Sequence, residues 1–215
     1  MAPTVDIVSD IVCPWCYIGK RRLEAALAQR AKEEPGAEAP VVTWRPFQLN
    51  PDLPAAGVER QEYMRRKFGP RLEQAHARLA EMGRTVGIEF AFEAINRQPN
   101  TIAGHSLVHL AGMRGVQDAV VEALFRAFFV DAADLTREET LLDVVAAAGL
   151  DRNEAAAWLA NPEARRTIAL EDERARQIGV EGVPFFIFNG RLAVSGAHEP
   201  DVLLRAMRES ETAAA

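Results

Sequence analysis

Apolar and polar positions along the chain first predict a βαβ unit. Residues 5–12 form a run rich in β-branched side chains, and residues 41–47 form a second β-rich run. Between the two runs, Leu23, Ala26 and Leu27 recur at helical spacing with charged residues elsewhere. A strand, a helix and a second strand in this order predict two parallel neighbouring strands joined by a right-handed crossover.

The middle of the chain, residues 58–178, has the spacing of helices almost throughout. Gly69-Pro70 predicts a break after the first helix of this region, and residues 87–92 predict a short extended piece. One helix has a wide apolar arc and is therefore predicted to lie at the centre of the region; its apolar residues are Val120, Val121, Leu124, Phe125, Phe128 and Phe129.

Capping residues mark several helix starts in this middle region. Asn100 or Thr101 can cap one helix, and Asp151 and Asn161 precede two more. Residues 136–139, with the sequence TREE, have the spacing of a capping box and predict a further helix start.

After residue 178 the pattern returns to strands. Residues 185–188 and 192–194 flank Asn189-Gly190, which predicts a β-hairpin with a type I′ turn. A last helix is predicted to open at Pro200, and the tail from residue 209 to 215 is predicted to fray.

Composition and charge narrow the classes of function. The 48% hydrophobic content supports a packed core, and the apolar runs are too short to span a bilayer. A formal net charge of −6 gives no reason to expect a nucleic acid or an anionic membrane as a partner. The N-terminus lacks the pattern of a signal peptide, so the chain, which starts at Met1, is predicted to be cytoplasmic.

The candidate chemistry lies in Cys13-Pro14-Trp15-Cys16, which contains both cysteines of the chain. The motif falls where a predicted strand passes into a predicted helix, and the first turn of a helix favours a thiolate through its unpaired N–H groups and its dipole. Pro14 suits the first helical position. We therefore predict that Cys13 is the nucleophile and that Cys16, less exposed, is the resolving thiol. The alternative is an inert buried pair, which this spacing at a helix start disfavours.

The sequence does not predict a metal site. Two thiols would need two further zinc ligands, and the sequence has no second CxxC or paired-histidine motif. His76, His109 and His198 belong to no recognisable constellation. We therefore expect no metal and no nucleotide cofactor.

Four segments together resemble the DsbA family of the thioredoxin superfamily, and more closely its FrnE-type branch. They are residues 7–19 (IVSDIVCPWCYIG), residues 44–51, Asn100-Thr101 with His105, and residues 178–196 (IGVEGVPFFIFNGRLAVSG). CPWC combined with the late GVPFF is far more specific than a CxxC alone, and the segments extend over essentially the whole chain.

The resemblance implies an α/β thioredoxin-like fold with a large all-helical insertion. The thioredoxin-like domain would be discontinuous, formed by residues 1–57 and 179–215, and residues 58–178 would form the helical insertion domain.

The resemblance also implies a substrate site. Val183-Pro184 would form a cis peptide bond in a loop that lies against the CPWC motif and pairs with an extended substrate. Pro14 and Trp15 would contact substrate on the opposite side, and Tyr17 could help Trp15 to shape that surface. His105 would face the site, although a histidine on an apolar helix is more often a structural hydrogen-bonding residue.

One departure from the wider superfamily concerns proton transfer. Thioredoxin-like enzymes often carry a buried acid six residues before the nucleophilic cysteine, and this chain has Ile7 there. The proton of Cys16 must then pass to another group or to water. Asp10 is one candidate, although it is more readily interpreted as a carboxylate at the helix entry, on the same strand face as Asp6.

These features predict a thiol–disulfide oxidoreductase or isomerase that acts on protein or small-molecule thiols, with glutathione a potential redox partner or co-substrate. One alternative is a glutathione-dependent enzyme of the kappa-type transferase and 2-hydroxychromene-2-carboxylate isomerase branch, whose members typically carry serine where this chain has Cys13. Another is a thiol-sensing or chaperone-like binding module, which would need an exposed apolar patch.

Overall fold

The computed structural model describes residues 2–212 and begins with the predicted βαβ unit. Strand β1 (Thr4–Ser9) is followed by helix α1 (Pro14–Glu33) and strand β2 (Val41–Pro46). The two strands are parallel, with Thr4 opposite Val41 and Ser9 opposite Pro46. The first strand is shorter than its β-branched run predicted, because the chain turns at residues 10–12 to reach the start of α1.

The middle region is mainly helical, as predicted. Its helices are α2 (Arg60–Phe68), α3 (Leu72–Thr85), α4 (Ile102–Met113), α5 (Gln117–Phe129), α6 (Glu138–Ala147), α7 (Arg152–Ala160) and α8 (Pro162–Gln177). A 3₁₀ turn at Gly69–Arg71 separates α2 from α3, at the predicted break.

Residues 87–92, predicted to be extended, form no strand; a 3₁₀ turn occupies Phe92–Ala94 instead. The extended pieces of this region are β3 (Val58–Glu59) and β4 (Arg97–Gln98), which pair antiparallel. Strands of two residues are too short to produce a recognisable alternation of apolar and polar positions.

The predicted helix caps are confirmed at three places and wrong at one. Asp151 and Asn161 accept hydrogen bonds from the backbone N–H groups of Glu154 and Glu163, and Asn100 accepts one from Ile102. The capping box at residues 136–139 does not form. The Thr136 hydroxyl donates to the side chain of Asp134 instead, because an aspartate two residues earlier offers a closer acceptor than the helix start.

The last part of the chain completes the sheet. Strands β5 (Phe185–Phe188) and β6 (Leu192–Ser195) form the predicted hairpin, with positive φ at both Asn189 and Gly190. Strand β5 pairs antiparallel with β1, which gives the sheet order β2-β1-β5-β6. Helix α9 (Pro200–Thr212) then packs on α1. Because α9 continues to Thr212, the predicted fraying is wrong for residues 209–212, and residues 213–215 lie outside the described part.

A shared aromatic core joins the helical region to the sheet side of the molecule. Phe125 on α5 is fully buried, stacks on Tyr17 of α1 with ring centroids 5.0 Å apart, and meets Trp44 of β2 edge-on at 6.2 Å. Burial of a side chain of this size stabilises the fold by about 1.5–3 kcal/mol. The core thus fixes α1, and with it the CPWC motif, against both regions.

Helices α1 to α9 include none that combines the length and apolar character needed to cross a bilayer, within the described residues 2–212.

Candidate active site

The CPWC motif lies at the junction between β1 and α1, as predicted. Cys13 is the residue before the helix and has extended backbone angles, while Pro14 is the first helical residue. The backbone N–H of Cys13 donates to the carbonyl of Asp10 at 3.0 Å, and the Cys13 carbonyl accepts from Cys16 N–H at 3.0 Å. These bonds hold the Cys13 thiol at the N-terminus of α1, where unpaired N–H groups and the helix dipole favour a negative sulfur.

Both thiols are largely covered by neighbouring residues. Cys13 is 4% exposed and Cys16 is 1% exposed, which agrees with the predicted order of exposure. The Cys13 thiol donates to the carbonyl oxygen of Val183 with Sγ and O 3.6 Å apart, and the Val183–Pro184 peptide bond is cis. The fold therefore brings together the two segments that the resemblance placed against each other.

Gly19 permits this close approach and was not singled out from the sequence. A Cβ atom at Gly19 would lie 3.0 Å from Cγ of Pro184 and 3.2 Å from Cζ of Phe186. Such contacts are tighter than most that a Cβ makes, so a side chain at this position would push α1 and the cis-proline loop apart by a few tenths of an ångström. The available signal was a glycine inside a helix, which costs about 1 kcal/mol relative to alanine and so indicates a packing requirement.

The other predicted substrate-binding residues differ in accessibility. Pro14, Trp15 and Val183 are half-buried at the edge of the site, whereas Pro184 is buried. The guanidinium of Arg78, on α3, lies 6.0 Å from the centre of the Trp15 ring. The helical region therefore contributes to the surroundings of the motif.

Tyr17 does not shape the substrate surface, contrary to expectation. Its side chain is buried on the far side of α1, and its hydroxyl donates to Glu122 of α5 at 2.9 Å. Burial and the negative charge of Glu122 raise the pKa of Tyr17 to about 12. The tyrosine thus fastens α1 to α5, because helical spacing turns residue 17 away from residue 15.

Asp10 is fully buried and held by backbone donors. Its Oδ2 accepts from Leu49 N–H at 2.7 Å, and its Oδ1 lies 3.4 Å from the donor N–H of Val12. Asp6, predicted to share its face, instead pairs with Arg45 at the surface with Nε and Oδ1 2.8 Å apart. The expectation fails because β1 ends at Ser9, so the alternation of a strand does not extend to residue 10.

His105 lies beside Asp10, an arrangement that the sequence did not indicate. The imidazole is 4% exposed, and its Nε2 lies 3.4 Å from Asp10 Oδ1 without a well-aligned hydrogen bond. Gly104 allows α4 to come this close, since a Cβ there would lie 2.3 Å from Cδ1 of Ile11. Sequence reasoning had named both Asp10 and His105, but nothing in their spacing showed that they meet.

Asn100 holds the loop after β2 next to this pair. Its side-chain amide donates to the carbonyl oxygens of Leu53 at 2.8 Å and Pro51 at 3.1 Å, and its Oδ1 accepts from Gln48 at 3.3 Å. The same loop supplies the Leu49 N–H that binds Asp10. The Asn100-Thr101 segment therefore supports the site through the backbone that it positions.

Cys16 has an environment that keeps its thiol protonated. Burial, followed by the neighbouring Cys13, raises the pKa of Cys16 well above its ordinary value. Hydrogen bonding from Ser9 and from the backbone of Asp10 acts in the opposite direction on that pKa. The Ser9 hydroxyl is buried and makes no hydrogen bond of good geometry within the described residues. A base is therefore needed before Cys16 can attack as a thiolate.

The remaining histidines lie away from the motif. His76 and His109 each have a ring nitrogen 3.5 Å from a glutamate oxygen, of Glu93 and Glu171 respectively, and His198 bonds to the Ser195 carbonyl at 2.9 Å. Residues 2–212 hold no group of three or more histidine, cysteine, aspartate or glutamate side chains placed to bind a metal ion.

A protein with this dithiol at a strand-to-helix junction, opposite a cis-proline loop, belongs to a known class of thioredoxin-like proteins. The chain matches the DSBA-like thioredoxin domain family over residues 4–208, and it belongs to that family. The family assignment confirms the resemblance and the thioredoxin-like fold class. The FrnE-type branch is a finer assignment and stays a prediction.

Three solved structures show the same architecture. A probable DsbA oxidoreductase from Streptomyces coelicolor is 33% identical, with a TM-score of 0.86 over 98% of this chain and 90% of that one. A 2-hydroxychromene-2-carboxylate isomerase is 20% identical, with a TM-score of 0.67 over 96% and 95% of the two chains. The cytosolic disulfide reductase DsbM from Pseudomonas aeruginosa, solved with glutathione, is 18% identical, with a TM-score of 0.61 over 97% and 96%. The last two likenesses are of fold alone.

Proposed function

We propose that this protein is a thiol–disulfide oxidoreductase that exchanges disulfides through Cys13 and Cys16. The observation that carries the proposal is the position of the Cys13 thiol, at the N-terminus of α1 and against the Val183 carbonyl, with a second thiol one turn further along the helix. The substrates would be protein or small-molecule thiols and disulfides, with glutathione as a redox partner. The glutathione bound in the related DsbM structure supports this choice.

In the reducing direction, the Cys13 thiolate attacks one sulfur of a substrate disulfide. The substrate S–S bond breaks, a Cys13–substrate disulfide forms, and the first substrate thiolate leaves. Cys16 then loses its proton and attacks Cys13 Sγ, which forms the Cys13–Cys16 disulfide and releases the second substrate thiolate. In the oxidising direction, the same steps run in reverse, and Cys16 leaves as a thiolate that takes up a proton.

Asp10, positioned by His105, is our candidate for the base that accepts the Cys16 proton. Its carboxylate is buried, and its backbone carbonyl accepts a hydrogen bond from Cys13 N–H at 3.0 Å, at the start of the motif. A carboxylate retains lone pairs after accepting two backbone N–H bonds, so it can also take a proton. His105 Nε2, 3.4 Å from Asp10 Oδ1, can orient the carboxylate. Asp10 would then replace the buried acid that thioredoxin-like enzymes often carry at the position of Ile7.

Turnover measured on single-cysteine variants tests the dithiol mechanism. Reduction of insulin should be lost in Cys13→Ser, and Cys16→Ser should lose turnover while it still reacts once with a disulfide. Trp15 fluorescence in glutathione redox buffers should report the Cys13–Cys16 couple in the wild type only. Full turnover by Cys13→Ser would refute the proposal.

The glutathione-dependent isomerase or transferase remains the alternative function, because it uses the same fold. That chemistry needs one activated group at position 13 and no resolving thiol. Activity that requires glutathione but is unchanged in Cys16→Ala would favour this alternative. The paired, buried thiols favour the redox function.

A reducing compartment, the cytoplasm, is our proposal for the location. The chain uses its two cysteines in one CxxC and has none to spare for a structural disulfide. The related DsbM is described as cytosolic, which agrees with this proposal.

A further inference from the structure

Arg60 is a buried cation that is held, within residues 2–212, by two neutral side chains. The residue is 4% exposed and begins α2. One guanidinium nitrogen donates to the side-chain oxygen of Gln98, and the guanidinium carbon lies 5.3 Å from the centre of the Phe128 ring. No carboxylate within residues 2–212 forms an ion pair with it. Burial lowers the pKa of Arg60 to about 10.

The other buried basic side chains that we compare with Arg60 each form ion pairs with carboxylates. Lys20 pairs with three carboxylates, Arg22 pairs with Glu199, and Arg30 pairs with one carboxylate at the end of α1 and one on α9. Burying a charge without a counter-ion is strongly unfavourable, so buried cations are almost always paired. Arg60 departs from that pattern and lacks an anion.

A cavity of about 690 Å³ lies next to Arg60, beneath the hairpin formed by α2 and α3. We call it the hairpin cavity; its lining includes Arg60, Met64, Leu72, His76, Phe92 and Ile95. Three exposed charged residues, Arg65, Glu73 and Glu93, also line it. The volume is within the usual range of small-molecule sites. Neither the CPWC motif nor the Val183-Pro184 loop contributes to the lining, so the cavity is separate from the thiols.

His76 has one ring nitrogen, Nε2, without a hydrogen-bond partner in the described residues, while its Nδ1 lies 3.5 Å from Glu93. Its ring stacks on Phe92 with centroids 4.7 Å apart, and Nε2 is buried. Burial lowers the pKa of His76, and the charge of Arg60 acts in the same direction while Glu93 opposes it. A neutral imidazole has one N–H, and with Nδ1 3.5 Å from the Glu93 carboxylate that N–H lies on Nδ1, so Nε2 is an acceptor for an N–H or O–H group of a ligand.

We infer that the hairpin cavity binds a small carboxylate with an apolar body. The carboxylate would pair with the Arg60 guanidinium, whose planar fork suits two parallel hydrogen bonds. The apolar body would lie against Met64, Leu72, Phe92 and Ile95. The inference does not depend on the proposed redox function, because no cysteine lines the cavity.

Calorimetric titration of the full chain with octanoate and benzoate tests the inference. Octanoate should bind, and uncharged octanamide should bind about 10- to 100-fold more weakly, since hydrogen bonds to a charged group are worth about 1.5–3 kcal/mol. Cys13→Ser should bind octanoate as the wild type does, which separates this result from the fate of the redox proposal.

Variants then locate the site. Arg60→Met combined with Gln98→Leu removes both buried partners and should reduce octanoate affinity about 10-fold or more, and Arg60→Lys should reduce it by a smaller factor. Arg65→Met, a change at the exposed part of the lining, should alter affinity less than about threefold. The inference is overturned if neither acid binds the wild type, if octanamide matches octanoate, or if Arg60→Lys and the double variant both bind octanoate normally. Binding of phenyl phosphate in place of both acids would overturn the carboxylate assignment.

Discussion

Asp10 and Arg60 are both buried ionisable residues, but they differ in the partners that surround their side chains. Around Asp10, at the junction of β1 and α1, two backbone N–H groups and His105 surround the carboxylate. Around Arg60, at the start of α2, the chain offers an amide oxygen and the face of a phenylalanine ring.

This difference in partners suits the two residues to different roles, Asp10 to proton transfer within the protein and Arg60 to binding a ligand. A buried polar group that is provided with partners is stable in the free protein, and in our proposal Asp10 acts on Cys16 from such a position. A cation over an aromatic face gains only about 0.5–2 kcal/mol, much less than the cost of its burial. Within residues 2–212 Arg60 has no carboxylate partner, which agrees with the proposed carboxylate ligand.

The largest predicted effect comes from Phe125, which lies between the helical region and the sheet side of the molecule. Phe125→Ala should lower the free energy of unfolding by about 3–5 kcal/mol, the usual cost of deleting a buried aromatic side chain. Near-ultraviolet and far-ultraviolet circular dichroism should still report one coincident transition, because the shared core makes the regions unfold together. Two separate transitions would show that the sheet side and the helical region are independently stable.

A smaller effect is predicted for Asp10, the proposed base at the junction of β1 and α1. Asp10→Asn keeps the size and one acceptor oxygen but cannot take a proton at neutral pH, so release of the Cys13–glutathione disulfide by Cys16 should slow about 100-fold at pH 7. Stopped-flow fluorescence of Trp15 can measure the release rate.

The pH dependence of the release rate distinguishes Asp10→Asn from the wild type more clearly than the rate at one pH does. Burial raises the pKa of Cys16, so without an internal base the thiolate fraction, and with it the release rate, should rise about tenfold per pH unit below that pKa. The wild type should depend less steeply on pH. Asp6→Asn, which removes a surface carboxylate of β1, is the matched control and should leave the release rate unchanged. An Asp10→Asn rate equal to that of the wild type would exclude Asp10 as the base.

The smallest effect is predicted at His76 in the hairpin cavity. Burial lowers the pKa of His76 in the folded protein, so between that pKa and about 6.5 the unfolded chain binds more protons. Folded-state stability is therefore lost as pH falls below about 6.5. His76→Gln should reduce this acid-dependent drop in Tm by at most a few degrees, as measured by thermal unfolding between pH 7 and 5. An unchanged acid-dependent drop would show that His76 is not desolvated in the cavity.

Features with a local signal could be predicted from the sequence. The start of α1 at Pro14, the caps at Asp151 and Asn161, and the turn at Asn189-Gly190 each depend on residues within about four positions of one another. The opposition of Cys13 and Val183 is not local, and it was expected only because two separated motifs resembled one family.

The contacts that depend on tertiary packing could not be predicted in this way. Asp10 meets His105 only because Gly104 lets α4 approach Ile11, and no spacing in the sequence encodes that approach. The burial of Arg60 is equally hidden, because an arginine at a helix start is normally exposed to solvent. The domain boundaries at residues 57 and 178 stay a prediction.

The most direct test of the central claim is to trap the first covalent intermediate. Cys16→Ser treated with oxidised glutathione, followed by intact mass spectrometry and peptide mapping, should carry one glutathione, attached to Cys13. Cys13→Ser under the same conditions should carry none, because the remaining thiol of Cys16 is buried and has a raised pKa. An adduct on Cys16, together with an unreactive Cys13, would contradict the assignment of Cys13 as the nucleophile.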